Sequence, residues 1–230
     1  MMTFLRKNVK AFLWAFALIF IGGIFLLNFT ARREPSYVAK VNGKKIPYRQ
    51  YLFIVNRQIQ NLREEAEEEI TEEQIRKIKE ETLGILVEEE LIYQEAKRYG
   101  LEVSEKDVVG TIYSLPQFQR EGRFDPRVYH SVLANFYRSD PSSYEGQVKK
   151  GLLIRKMKRI IMDSVKVTPH EVRFEYKRRN QSIDNFEKEK EDFTQSYLQE
   201  KQYYLFRQWL FGLQRQAKIV NNLPRIEGSL

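Results

Sequence analysis

Apolar residues recur at helical spacing along most of the chain. Pro47 is predicted to begin a helix, since proline lacks the N–H that a first helical turn leaves unbonded. One face of this helix carries Tyr48, Leu52, Val55, Ile59 and Leu62. Thr71-Glu-Glu-Gln74 is a capping box, and it predicts a helix that runs to Tyr99 before the glycine at position 100. The stripe predicted for this second helix is Ile75, Ile78, Thr82, Ile85, Ile92, Ala96 and Tyr99.

Further helix starts follow at regular intervals. Ser104 to Asp107 predicts the cap of a shorter helix, and Asp125 before Pro126 predicts another start. Ser142 or Ser143 is expected to open a helix that includes Val148, Leu152, Ile154, Met157, Ile160 and Ile161. Thr168-Pro-His-Glu171 is a further capping box. The last helix is predicted over 184–216, with a stripe of Phe193, Tyr197, Tyr204, Leu205, Trp209 and Leu213.

Strand signals are confined to the two ends of this helical part. Val38, Val41 and Ile46 flank Asn42-Gly43, and Asn-Gly is a strong hairpin signal because both residues tolerate positive φ. A hairpin is therefore predicted over 37–46. Residues 217–220 have an extended pattern and are expected to pair with that hairpin. The predicted fold class is mainly α, with a little β near the ends.

The N-terminus carries an uninterrupted apolar segment. From Ala11 to Leu27 there are seventeen residues without a charge, and residues 11–31 are long enough to cross a bilayer core. A cleaved signal peptide is the alternative, but Phe29 is too large for position −3 of a cleavage site before Arg32. We therefore expect a transmembrane signal anchor. The cations Arg6, Lys7 and Lys10 precede it and place the N-terminus in the cytoplasm.

Charge is segregated along the chain. The formal net charge is +8, yet 61–95 holds thirteen Glu against four Lys/Arg, and 147–179 holds eleven Lys/Arg against three acids. No helix-turn-helix, zinc or RNA-binding signature accompanies the basic part, so nucleic acid is not a predicted partner. The basic helix positions Lys149, Lys150, Arg155, Lys156, Lys158 and Arg159 fit a solvated helix face, or a surface for acidic segments or lipid headgroups.

Catalytic motifs are missing from the sequence. There is no cysteine, and the two histidines, His130 and His170, are forty residues apart without a partner at metal-binding spacing. The chain also has no G-x-S-x-G, no P-loop and no G-x-G-x-x-G. We predict no catalytic residue, no metal and no cofactor.

The order of the motifs resembles the peptide-binding module of the SurA and PpiD group of periplasmic foldases. An N-terminal apolar span precedes the matching stretches Val41 to Ile46, Ala96 to Ser104, Phe118 to Tyr129, Val167 to Glu171 and Ala217 to Ile219. The resemblance implies a helical domain like the peptide-binding part of trigger factor and SurA, with a small N-terminal hairpin. In that group a parvulin prolyl isomerase domain follows the V-T-x-x-E helix. Here residues 179–184 occupy that junction, and six residues cannot form a domain.

The resemblance also implies an organisation and a location. Residues 1–10 are expected to form a cytoplasmic tail, 11–31 a single-pass anchor in a bacterial inner membrane, and 32–230 a periplasmic chaperone domain. The final helix, 184–216, is expected to pack back on this domain. The implied partners are unfolded or nascent exported polypeptides, the inner membrane through 11–31, and the export channel.

A chaperone of this kind needs adaptable apolar side chains, and the chain has fifteen Phe and thirteen Tyr. The candidate peptide-binding residues are Tyr113, Leu115, Phe118, Phe124, Tyr129, Phe136, Tyr137 and Tyr144. Core packing is the alternative role for each of them. The residues Tyr203, Tyr204, Phe206, Trp209 and Phe211 are too crowded for one stripe, so some are expected to face another element, a client or a neighbouring chain. Two other functions stay open: a prolyl isomerase with an unrecognised site, and a helical adaptor for one fixed protein partner.

Overall fold

The computed structural model describes residues 36–65 and 70–228, and this part of the chain is mainly helical. The predicted tail, 1–10, and the predicted anchor, 11–31, lie outside the described residues. None of the helices within the described ranges is long and apolar enough to span a bilayer. The α-helices there are α1 Tyr48–Glu65, α2 Glu72–Arg98, α3 Glu105–Ser114, α4 Pro126–Val132, α5 Pro141–Ser164, α6 Pro169–Asn180, α7 Phe186–Gln216 and α8 Leu223–Glu227.

A three-stranded antiparallel sheet joins the two ends of the described chain. Its strands are β1 Tyr37–Val41, β2 Lys44–Pro47 and β5 Ile219–Asn221, with β1 in the centre. Asn42 and Gly43 form the β1–β2 turn at φ +50° and +82°, the positive values that Asn-Gly accommodates. The hairpin prediction is confirmed. The predicted pairing of the C-terminal extended segment is confirmed too, since Val41 is opposite Ile219.

The predicted helix starts can be compared with the observed caps. Thr71 and Ser104 each form a reciprocal capping box, with Gln74 and Asp107 respectively, and Asp125 caps α4. Thr168 caps α6 by accepting from the N–H of Glu171. The other half of that predicted box is absent among the described contacts, because the Glu171 carboxylate instead accepts from Tyr197 Oη and Lys201 Nζ.

The predicted start of α5 is wrong by two or three residues. Asp140 is the N-cap and Pro141 is the first helical residue, whereas Ser142 and Ser143 lie inside the helix. The Asp140 carboxylate accepts from the Ser143 backbone N–H at 2.9 Å and from the Ser143 hydroxyl at 2.6 Å. An aspartate followed by proline is the stronger start signal here, as it is at Asp125.

Two buried clusters hold the centre of the molecule together. The first lies between the sheet and the helices α1 and α2, where Val38, Val41, Tyr51, Val55, Leu86 and Leu91 are buried. The second joins α2, α5 and α7 through Ile92, Ala96, Leu153, Met157 and Leu210. Beside it the buried Glu90 carboxylate accepts from Lys150 Nζ of α5 and from Gln94 Nε2. The second half of α7 therefore packs against α2 and α5.

Two further buried clusters lie outside this centre. One lies in 103–152 and includes a 3-10 turn, Pro116–Phe118, the short strands β3 Gln119–Arg120 and β4 Arg123–Phe124, and a π-helical turn, Leu133–Tyr137. The other packs α6 on the first half of α7 through Val172, Tyr176 and Phe186. The chain passes from Asn180 to Phe186 through residues 181–185 alone. Gln181 enters this connection in the left-handed region, at φ +57°.

Some stripe positions do not face the core. Ile85, Tyr99 and Ile160 are exposed although their spacing places them in the predicted apolar stripes. Only the second half of α2 is covered by both α5 and α7. Ile85 lies on the same face in the first half, so its side chain remains exposed to solvent.

Candidate peptide-binding site

The predicted peptide-binding residues all lie in the segment that spans α3, α4 and the start of α5, which we call the arm (residues 103–152). A tight turn organises its tip. Glu121 and Gly122 connect β3 to β4 with positive φ, +53° and +76°, which is the conformation of a two-residue hairpin turn. Asp125 N–H then donates to the carbonyl of Phe118 at 2.9 Å, which brings α4 back over the 3-10 turn.

Phe118, Tyr129 and Tyr144 form the buried interior of the arm. The ring of Phe118 meets the rings of Tyr129 and Tyr144 edge to face, with centroid distances of 5.0 Å and 5.5 Å. Burial raises the pKa of Tyr144 to about 12 and raises that of Tyr129, so both phenols stay neutral at physiological pH. In this conformation these residues support the arm from inside.

Tyr113 and Phe136 are the exposed members of the predicted set, at 50% and 56% of full exposure. Tyr113 stacks on the half-buried Phe124 with centroids 4.1 Å apart. Phe136 contacts Tyr137 edge to face at 5.1 Å. Leu115 is half-buried beside them at the start of the 3-10 turn. These side chains present apolar surface to solvent from a packed base.

A π-helical turn sets the position of Phe136 and Tyr137. The wider turn ends at Arg138, which is left-handed at φ +47°, and the N–H groups of Arg138 and Ser139 both donate to the carbonyl of Leu133. Turns of this kind are uncommon and occur often at functional sites. Here the turn leaves Tyr137 against Phe118 and Tyr144 while Phe136 stays exposed.

Phe53 of α1 contacts the same group of rings, although the sequence analysis did not predict it. Its ring lies 5.9 Å from Phe136, edge to face, and 5.9 Å from Tyr137. Phe53 follows Leu52 and falls off the predicted stripe of α1, and a large apolar residue off the stripe is the signal that could have identified it. Its contacts connect the arm to the centre of the molecule.

The rings form one continuous series, which we call the aromatic network. Neighbouring centroids along it, from Tyr113 through Phe124 and Tyr129 to Phe118, are 4.1, 5.6 and 5.0 Å apart. The series then continues from Phe118 through Tyr137 and Phe136 to Phe53. Tyr113 at one end and Phe136 next to the other end are the exposed rings of the predicted set, and they rest on the half-buried rings Phe124 and Tyr137. The full network is Phe53, Tyr113, Phe118, Phe124, Tyr129, Phe136, Tyr137 and Tyr144.

The arrangement offers apolar contact rather than reactive groups. Around the network, the exposed charged residues Arg120, Arg123 and Arg127 form a polar edge. His130 is exposed beside Tyr129, at a ring distance of 5.5 Å. Among the described residues, no group of three His, Cys, Asp or Glu side chains is placed to hold a metal ion.

Other predicted surfaces have a definite position as well. Tyr203, Tyr204 and Phe211 of α7 are exposed, whereas Phe206 and Trp209 pack partly on the central cluster, so these crowded aromatics do not share one buried stripe. Several cations of the basic helix α5 have partners inside the molecule. Lys149 Nζ lies 2.7 Å from Glu105, and Lys156 Nζ donates to the carbonyl of Glu102 at 2.9 Å.

Comparison with known proteins identifies the family of the chain. The family model of the SurA-like N-terminal domain matches residues 1–158. This range contains the arm, α5 as far as Lys158 and the whole aromatic network. A protein named periplasmic chaperone PpiD, from Haemophilus influenzae, is 26% identical over 160 residues, which is 66% of this chain and 25% of that protein. The chain thus aligns with about a quarter of the length of this relative. The resemblance to the SurA and PpiD group is confirmed, and the chain belongs to the SurA-like N-terminal domain family.

Proposed function

We propose that this protein is a membrane-anchored periplasmic chaperone that holds unfolded exported or outer-membrane polypeptides without ATP. The observation that carries the proposal is the aromatic network, whose exposed rings Tyr113 and Phe136 rest on a buried aromatic base. The family relation to a periplasmic chaperone supports it. The proposed function does not include prolyl isomerisation.

Exposed aromatic rings suit clients of varied sequence. A phenylalanine or tyrosine ring offers a large contact area while only two side-chain torsions have to be fixed. Apolar contact is non-directional, so different client side chains can satisfy the same ring. Exposed arginines at the edge, such as Arg120 and Arg123, add polar contacts without requiring one client sequence. This combination favours weak and broad binding.

The domain organisation is part of the same proposal. Residues 11–31 would anchor the chain in the inner membrane, with 1–10 in the cytoplasm and 32–230 in the periplasm. An anchor near the export channel raises the concentration of clients that the domain meets. The five residues between α6 and α7 are too few for the parvulin domain that the SurA and PpiD group carries at this point.

Aggregation suppression tests the proposal directly. The full-length chain in detergent micelles is added, at substoichiometric to equimolar ratios, to several unrelated proteins as they are diluted from denaturant. Empty micelles serve as the control. We expect aggregation to decrease for most clients. Failure to suppress any client would overturn the proposal and favour an adaptor with one fixed partner.

Prolyl isomerisation is measured on the same samples. The cis–trans conversion of an unstructured proline peptide is followed with and without the protein. We expect the rate of the uncatalysed reaction. Acceleration above that rate would mean that the chain has an isomerase site which neither the sequence motifs nor the aromatic network explains.

A further inference from the structure

The three-stranded sheet presents one of its two faces to solvent. Its inner face packs on α1 and α2, where Ala39 and its cross-strand partner Ile46 are buried. Because side chains alternate along a strand, the next pair, Lys40 and Lys45, points to the opposite side. Val220 of β5 is in register with Lys40 and is 43% exposed. The outer face therefore carries two lysines beside an exposed apolar residue.

Tyr37 and Lys218 extend this outer face. Lys40 Nζ lies 4.7 Å and Lys45 Nζ lies 5.2 Å from the centroid of the Tyr37 ring. Lys218 is next to β5, and its carbonyl accepts from the N–H of Asn42 at 2.9 Å, so it continues the pairing with β1 by one position. It is two positions from the β5 valine, and its side chain points to the same side. We call this surface the basic sheet face, and it consists of Tyr37, Lys40, Lys45, Lys218 and Val220.

The three lysines of the basic sheet face have no acidic partner among the described residues. Lys40 and Lys45 are directly opposite each other in the antiparallel ladder, where like charges repel and lower the stability of the sheet. Lysines on edge strands also prevent pairing between sheets, which explains Lys45 on the edge strand β2. That role does not explain Lys40, because β1 is the central strand. An anionic partner outside the domain would remove the repulsion.

The position of this face along the chain indicates where such a partner lies. Tyr37 follows Ala31, the last residue of the predicted anchor, by six positions. An extended chain covers at most about 3.4 Å per residue, so the two residues are no more than about 20 Å apart. The headgroup layer on each side of a bilayer core is about 5–8 Å thick. With 11–31 across the bilayer, Tyr37 is therefore within about 15 Å of the headgroups, whatever path the intervening residues take.

We propose that the basic sheet face rests on the membrane surface and binds the phosphate groups of anionic lipids. The proposal rests on the proposed membrane anchoring and adds a second contact between the domain and the same membrane. Lysines close to an anionic membrane surface are attracted to it, and their contributions add. Tyrosine is enriched at the level of the headgroups, so Tyr37 fits this position. Val220 adds apolar contact on the same face.

Amine modification of the full-length chain in lipid nanodiscs tests the proposal. One set of nanodiscs contains phosphatidylcholine alone, and the other contains equal parts of phosphatidylcholine and phosphatidylglycerol. Brief acetylation followed by mass spectrometry gives the modification rate of each lysine. Lys106, Lys177 and Lys188 serve as references, since they are exposed on other elements and have no ion pair within the described ranges.

The expected result is protection of the basic sheet face by anionic lipid. Relative to the reference lysines, the modification rates of Lys40, Lys45 and Lys218 should fall roughly three- to tenfold in the anionic nanodiscs, because each lysine contributes only modestly. The protection should shrink as salt is raised, since salt screens the attraction between the lysines and the lipid phosphates.

Variants assign the protection to this face. Lys40→Gln with Lys45→Gln leaves one of the three cations, so Lys218 should lose its protection by anionic lipid. The matched control is Lys106→Gln with Lys188→Gln, which removes the same charge elsewhere and should leave Lys218 protected. Lys177 is the reference lysine in both variants. Circular dichroism verifies that each variant is folded.

The outcomes separate this proposal from the proposed function. Equal modification in the two kinds of nanodisc, or equal loss of protection in the two double variants, overturns the lipid contact even when the chain suppresses aggregation. Protection by a polyglutamate peptide without protection by phosphatidylglycerol would identify an acidic polypeptide as the occupant and also overturn it. Release of the chain from bilayers by alkaline carbonate would instead contradict the proposed anchor, and the labelling would still decide whether the face binds anionic lipid.

Discussion

Removal of the Phe136 ring should weaken client binding while the protein remains folded. Phe136 is 56% exposed, and its remaining surface contacts Phe53 and Tyr137. Phe136→Ala therefore deletes a ring that is available to a client. Its effect on the free energy of unfolding should stay below about 1.5 kcal/mol, because less than half of the ring is packed and a fully buried phenylalanine gives about 3–5 kcal/mol.

The size of the binding effect follows from the exposed area. A phenylalanine side chain can bury about 200 Å², so the exposed part of this ring offers about 110 Å² to a client. At roughly 25 cal/mol per Å² the upper limit is about 3 kcal/mol. Mobile clients recover only part of this because their own side chains must be ordered on binding. We therefore expect a loss of about 1.5 kcal/mol, which is roughly a tenfold increase in Kd.

Phe174 supplies a matched control on the same chain. It is 64% exposed on α6, so Phe174→Ala removes the same side chain with at least as much exposed surface, away from the aromatic network. The assay is fluorescence anisotropy of a labelled, permanently unfolded client titrated with each full-length variant. Urea unfolding of both variants is measured in parallel. This comparison distinguishes client binding at the aromatic network from non-specific apolar binding at any exposed ring.

Two results would refute the reasoning. Wild-type affinity in the Phe136 variant would mean that clients do not use the exposed end of the network. Equal weakening in the Phe136 and Phe174 variants would mean that any exposed ring contributes, so the arm would have no special role.

Further predictions concern the supports of this surface and the stability of the fold. Phe118→Ala should lower the free energy of unfolding by about 3–5 kcal/mol, measured by urea denaturation, since the ring is fully buried among aromatic neighbours; a change below about 1 kcal/mol would contradict the packing. Thr71→Ala should remove about 1 kcal/mol through loss of the α2 cap, and Thr71→Ser should restore most of it in the same assay. Hydrogen bonds from Arg178 and Arg179 lower the pKa of Glu175 from 4.5 to about 2, so Glu175 stabilises the fold above pH 4.5 and this contribution is lost as pH falls towards 2. The melting temperature of Glu175→Gln should therefore approach that of the wild type between pH 4.5 and 2, and a constant difference over this range would exclude this linkage.

Local chemistry made part of the fold predictable. Asn42-Gly43 and Thr71 to Gln74 act within a few residues, so their turn and cap could be identified without any knowledge of the rest of the chain. The start of α5 was misplaced because three polar residues, Asp140, Ser142 and Ser143, compete within four positions. The side chain at Asp140 reaches the free N–H groups of the first turn, and Ser143 becomes its donor.

The remaining pattern of burial depends on contacts between distant parts of the chain. The spacing of apolar residues within one segment does not reveal these contacts. Ile85 and Ile92 share a face of α2, yet Ile92 is buried and Ile85 is exposed. Ile92 is buried because it packs with Leu153 of α5 and Leu210 of α7 in the second cluster, and Ile85 lies two turns before this contact. In the same way, Phe53 meets Phe136 from a distant part of the sequence, and only the assembled structure brings the two rings together.

The arm shows why the predicted residues divide into supports and exposed rings. The segment between α3 and α5 consists of short elements with different turn geometries, so no single period assigns an inner face. Phe118 and Phe136 are both large aromatic residues, but one is buried at a 3-10 turn and the other is exposed by a π-helical turn. Composition directed the prediction to this segment, whereas backbone geometry decides which of its rings are buried and which are exposed.

A buried aromatic base has a consequence for how the exposed rings would hold a client. Tyr113 is fixed by stacking on Phe124, and Phe124 in turn rests on Tyr129 inside the arm. The exposed rings have therefore already lost part of their rotational freedom before a client arrives, and binding freezes fewer torsions. Exposed arginines such as Arg120 and Arg123 lie in the same segment and require no single client sequence. A surface of this kind favours fast and reversible contact with many sequences, which is what a chaperone without an energy source needs in order to release its clients.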